Sequence, residues 1–152
     1  MARLYLSPVN ETRATLESLI VSAHRLTRVA AQSTGDQTSP AVWRTLAILE
    51  NDGPMRLGEL ALASRVAQPT MSKMVQNLVA DEWVRRIADV DDSRSWLIAP
   101  SPKGQRALAA WRETVATAAA PLFDGLDASE WATLASAAAI LRERLVGNRV
   151  AA

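Results

Sequence analysis

Cysteine is absent from the 152 residues, which excludes disulfides, thiolate metal sites and thiol-based redox sensing. Histidine occurs once, as His24, so a zinc centre would lack good ligands. No apolar run approaches the roughly 18 residues needed to span a bilayer, and the opening MARLYLSPVNETR lacks the apolar stretch of a signal peptide. A cytoplasmic chain with no membrane contact is expected. Charge of one sign is also lacking: the net charge is +1, and residues 55–104 carry seven Lys/Arg against six Asp/Glu. Any affinity for nucleic acid must therefore come from where charges sit, not from their total. There is no Gly-rich phosphate loop and no His–carboxylate constellation, so the expectation is a non-enzyme with no cofactor and no metal.

Against these absences stands a helix-forming stretch, Ala67 to Trp83, AQPTMSKMVQNLVADEW. At about 100° per residue, Met71, Met74, Val75, Leu78 and Val79 fall in one arc, and Thr70, Ser72, Lys73, Gln76, Asn77 and Ala80 in the other. The apolar arc suits a core-facing helix. The polar arc holds hydroxyls, amides and one lysine, groups that suit phosphates and base edges but equally suit a solvated surface.

The neighbouring segments place this helix. Residues 10–32 repeat apolar positions at three and four (Leu16, Leu19, Ile20, Ala23, Leu26, Ala30), predicting one long amphipathic helix. Ser39-Pro40 is a cap followed by a first-turn proline, opening a helix that buries Val42, Trp43, Leu46, Ala47 and Leu49 and ends at Asn51-Asp52-Gly53-Pro54. A short helix from Leu57 to about Ala63 follows, with Arg56 standing where a hydroxyl cap is usual. Only Ser64, Arg65 and Val66 separate it from the opening stretch, which is helix-turn-helix spacing. Next, β-prone runs at Trp83–Ala88 and Ser95–Ala99 flank the turn formers Asp89 to Arg94, a hairpin with a charged tip. Ser101-Pro102 starts a helix carrying Leu108, Trp111 and Val115 that stops near Pro121, and Asp127 to Glu130 has capping-box form ahead of a helix with a Trp131, Leu134, Ala138, Leu141, Leu145 stripe.

A helix-turn-helix followed at once by a hairpin is a winged helix. The expected fold is mainly α with a small β-hairpin wing: an N-terminal dimerisation helix over 1–34, a winged helix-turn-helix over 36–102 and C-terminal dimerisation helices over 103–152. The terminal helices have longer apolar stripes than the small winged module can cover, so two-fold pairing with a second copy is expected.

The segments LGELALASRVAQPTMSKMVQNLVADEWVRR and DVDDSRSWLIAPSPKG resemble the MarR family of bacterial transcriptional regulators. The second is similar to the family's wing signature, with Asp89, Asp92, Arg94, Ser101 and Gly104 in the signature places. Five positions depart from the pattern: Val90 for a common proline, Ala67 for a serine, Arg56 for a hydroxyl cap, and Glu82-Trp83 for Gly-Leu. The resemblance implies a homodimer on a palindromic double-stranded DNA operator, most simply a repressor released by a small aromatic or phenolic ligand. A regulator controlled by abundance or by a protein partner is the first alternative, and an interaction module without DNA binding the second. It further implies DNA contact by Gln68, Thr70, Ser72, Lys73, Gln76 and Asn77, with Arg86 and Lys103 at the backbone. Arg94 would enter the minor groove, with Asp89 and Asp92 supporting the wing or pairing with the arginine. His24, Arg25, Trp43, Trp111 and Arg112 are candidates for an effector pocket, although a histidine or tryptophan at such positions is more often simply packed.

Overall fold

The computed structural model describes residues 8–92 and 94–146; residues 1–7, Ser93 and 147–152 lie outside them. The element order is α1 (Pro8–Ser33), α2 (Pro40–Asp52), β1 (Met55–Arg56), α3 (Leu57–Ser64), α4 (Gln68–Ala80), β2 (Val84–Ala88), β3 (Trp96–Pro100), α5 (Pro102–Ala119), a 3₁₀ turn (Ala120–Phe123) and α6 (Ala128–Leu145). All six expected helices and the hairpin are present. No helix among the described residues is long and apolar enough to cross a membrane. The described residues form two compact units, one within residues 1–36 and 113–124, the other within residues 37–112 and 125–152.

In the first unit α1 is a single 26-residue helix. Ala30 is buried, but Leu16 and Ile20 of its apolar stripe are 52% and 69% exposed. Such exposure is unusual for large aliphatic side chains repeated along one stripe.

The second unit is built on the winged module. Leu46 and Leu49 of α2, Leu60 of α3, Met71, Val75 and Leu78 of α4, Val84 and Ile98 of the sheet and Leu108 of α5 form one buried cluster. The apolar arc of α4 therefore faces the core, as its periodicity requires, with Met74 and Val79 half-buried at its margins. Thr45 and Ser64, both fully buried, share a hydrogen bond of 3.2 Å that ties α2 to the end of α3. In the turn into α4, Arg65 is left-handed (φ 54°) and Val66 N–H donates to the Ala61 carbonyl, so the chain reverses within three residues. The two hairpin strands pair antiparallel, with Arg86 opposite Ile98 and Ala88 opposite Trp96. A third strand, β1, adds Met55 opposite Ile98 and Arg56 opposite Leu97, giving the order β1-β3-β2. On α6 the large apolar residues Trp131, Leu134, Leu141 and Leu145 are exposed.

Candidate nucleic-acid interface

Helix α4 begins without a side-chain cap. Ala67 occupies the N-cap position in extended conformation, makes no side-chain hydrogen bond, and is followed by Gln68 and Pro69. Pro69 has no N–H to satisfy, and the remaining first-turn N–H groups stay available to an anion. Gln68, Thr70, Lys73, Gln76 and Asn77 are exposed and Ser72 is half-exposed, while no acidic side chain occurs anywhere in α4. One face of this helix is thus fixed by the core and the other is an acid-free row of hydroxyl, amide and ammonium groups.

Hydrogen bonds hold the wing tip from within. Asp92 Oδ2 accepts from the Ser95 hydroxyl at 2.7 Å and Oδ1 from Arg94 N–H at 3.1 Å. Asp89, whose side chain is buried, accepts from Asp91 N–H at 3.0 Å and from the Arg56 guanidinium through Nε at 2.8 Å and Nη2 at 2.7 Å. The Arg56 bonds are the main cause holding the Asp89 carboxyl below its usual range, and the Ser95 hydroxyl does the same for Asp92. The expected alternative, an ion pair from either aspartate to Arg94, is not formed among the described residues; Arg94 remains exposed. Arg86 is likewise exposed on β2.

Arg56 was legible in the sequence only as an odd cap. A guanidinium has no acceptor and cannot cap a helix, so the head of α3 is satisfied from the other side: Glu59 Oε2 accepts from Arg56 N–H at 2.9 Å. That leaves the Arg56 side chain free to reach across 33 residues to the wing. Its departure from the usual hydroxyl is the one signal that could have marked it.

A second set of contacts fixes where the wing joins the helices. Glu82 is left-handed (φ 62°), which accounts for glycine being usual at that place. The Ser101 hydroxyl donates to the Glu82 carbonyl and accepts from Gly104 N–H at 3.0 Å, while Ser101 N–H donates to the Trp83 carbonyl at 3.0 Å. Lys103 pairs with Glu82 at 3.1 Å. A Cβ on Gly104 would lie 2.0 Å from the Trp83 carbonyl oxygen, so only glycine lets α5 approach this closely.

The effector candidates fall in both units. His24 and Arg25, with Ile20, Val21 and Arg28, line a shallow hollow of about 370 Å³ on α1. In the second unit Trp43 is 7% exposed and stacks on Trp83 (centroids 5.3 Å apart) and on Trp111 (5.1 Å). Arg112 pairs with Glu50 at 2.6 Å. No ligand could stack on Trp43 without displacing one of the two neighbouring indoles.

Comparisons with known proteins agree on the module. The sequence profile of the MarR family matches residues 39–96, from the cap of α2 to the first residue of β3. A search by sequence among curated proteins finds no match. Among solved structures, the chain is similar to a transcriptional regulator from Thermotoga maritima, Tm0710 (TM-score 0.69, 20% identity, covering 88% of this chain and 94% of that one). It is similar also to a probable transcriptional regulator from Pseudomonas aeruginosa (TM-score 0.55, 26% identity, 81% and 92%). A third likeness is to BpsR of Bordetella bronchiseptica, described with regulation of its DNA binding by 6-hydroxynicotinic acid (TM-score 0.54, 19% identity, 84% and 90%).

Proposed function

We propose, from the match of residues 39–96 to the MarR family profile, that the protein is a DNA-binding transcriptional regulator, a homodimeric repressor released from a palindromic operator by a small aromatic or phenolic ligand. The carrying observation is the exposed, acid-free face of α4 beside a wing whose arginine is left unpaired by both neighbouring aspartates. In this reading Lys73 and the uncapped first turn of α4 meet phosphates. Gln68, Thr70, Ser72, Gln76 and Asn77 reach the major groove or its rims. Arg94 enters the minor groove, and Arg86 and Lys103 flank the backbone. The uncovered stripes on α1 and α6 support pairing of two copies, which would set two recognition helices about one helical turn of DNA apart. A ligand that prefers a misaligned dimer would lower operator affinity by shifting the population toward it. The role is that of a binding protein, not a catalyst.

Gel-shift titration against the DNA upstream of the protein's own gene tests this reading. Lys73→Ala and Arg94→Ala are each expected to weaken binding and, because the dimer presents each residue twice, to reduce the slope of log affinity against log salt by about two. Equal binding by wild type and both variants removes those residues from the interface. A monomer in light scattering at micromolar concentration removes the two-half-site arrangement.

A further inference from the structure

Beneath the C-terminal end of α4 lies an open cleft of about 650 Å³, within the range that accepts a small ligand. Its apolar walls come from Val42 of α2, Met74 and Leu78 of α4, and Trp83; Thr38, Asn77, Asp81 and Lys103 supply polar groups. From these residues we infer an effector site for a small aromatic monocation.

The charge pattern carries the choice of sign. Among the described residues Lys103 is the only cation lining the cleft, and its ammonium is already engaged by Glu82 at 3.1 Å. Asp81 is exposed, and among the described residues its carboxylate takes part in no ion pair and no side-chain hydrogen bond. It also caps the C-terminus of α4, the end where the helix dipole is negative. With the Lys103–Glu82 pair cancelling, the cleft presents one uncompensated negative charge reinforced by that dipole, beside an indole whose ring attracts cations. A benzoate-like anion would meet Asp81 with no free cation to hold it. An aromatic ammonium would place its charge at Asp81 and its ring against Trp83, Met74 and Val42.

This site deepens the effector part of the function proposed above and rests on it for its consequence: Asn77 lines the cleft and also stands on the face of α4 assigned to DNA. An occupant would therefore bear directly on the recognition helix.

The test is a calorimetric titration of the full chain, without DNA, using benzyltrimethylammonium and, separately, benzoate. Saturable binding of the cation and none of benzoate is expected. Asp81→Asn should weaken the cation roughly tenfold, since the attraction between the carboxylate and the quaternary ammonium charge is lost. Lys103→Gln should strengthen it, because Glu82 is then unopposed. Opposite signs from two exposed substitutions cannot arise from misfolding. No saturable binding of the cation, tighter binding of benzoate, or the same effect from both substitutions would overturn the inference. Because no operator is present, these outcomes are independent of whether the DNA-binding reading holds.

Discussion

Replacing Gly104 by alanine sets two known effects against each other, and the structure decides between them. Gly104 lies in the first turn of α5, and in an ordinary exposed helix a Gly-to-Ala change stabilises by up to about 1 kcal/mol. Here the added Cβ would sit 2.0 Å from the Trp83 carbonyl oxygen and 2.8 Å from its carbon, both backbone atoms that no rotamer change can move aside. Reaching ordinary contact at about 3.4 Å requires α5 and the start of β2 to separate by roughly 1.4 Å. A shift of that size takes the Ser101 N–H to Trp83 bond, now 3.0 Å, and the Ser101 hydroxyl bond to the Glu82 carbonyl out of range. Two lost hydrogen bonds at about 1 kcal/mol each, with about 1–2 kcal/mol of overpacking, exceed the propensity gain, for a net loss of roughly 2–3 kcal/mol. For a chain of this size that is a melting temperature lower by roughly 5–10 °C. Thermal and urea unfolding followed by circular dichroism, at one fixed protein concentration because association shifts the midpoint, is the measurement. An unchanged or higher midpoint would refute the argument that the close approach of α5 to the wing base is what requires glycine.

Three further outcomes follow from the same geometry. Glu82→Gly relieves a left-handed backbone at φ 62° and is expected to raise stability in urea by up to about 1 kcal/mol, net of the surface ion pair with Lys103; a fall would show that the pair outweighs the strain. Asp89, Asp92 and Asp127 are all held below the usual carboxylate range, chiefly by the Arg56 guanidinium, the Ser95 hydroxyl and the Ser129 hydroxyl respectively. Their contribution is complete above the unfolded value of about 3.9 and is lost as pH falls through the lower folded values, so stability should drop on acidification below about pH 4. Asp89→Asn should flatten that acid limb in melts taken across pH, and an unaltered limb would exclude the Arg56 pairing as a source. Trp43→Ala removes a nearly buried indole from between its stacking partners and should cost about 3–5 kcal/mol in chemical unfolding, with Trp43→Phe milder; a cost under about 1 kcal/mol would mean the stack is not part of the core.

What could be read from the sequence is what repeats or caps locally. The arc of Met71, Val75 and Leu78 was legible because burial on a helix returns every three to four residues, and those three side chains are the buried ones. Ser39 accepts from Ala41 N–H, and Asp127 and Glu130 form the reciprocal box their spacing suggests. Strand β1 was missed because two residues are too few to show any period; only pairing with β3 defines it. The exposed polar face of α4 followed from the same wheel, whereas the partners of the wing did not. Arg56 and Asp89 are 33 positions apart, and Ser101 meets Glu82 across 19, distances over which a single sequence carries no pairing signal. Glu82-Trp83 was visible only as a departure from Gly-Leu. The structure gives each half of it a task, the glutamate tolerating the left-handed turn and the indole extending the tryptophan stack.

That stack also makes the second unit optically self-reporting. Three of the five tryptophans sit with neighbouring ring centres 5.3 and 5.1 Å apart, drawn from α2, the start of the wing and α5. Indoles so close and so rigidly oriented couple electronically, and near-ultraviolet dichroism of this kind survives only while side-chain packing is fixed. Any event that slides the wing base against α2 or α5 by even a fraction of a ring width should change that spectrum without a label, a mutation or a loss of helix, so an assembled and a loosened state of the same chain can be distinguished in a cuvette.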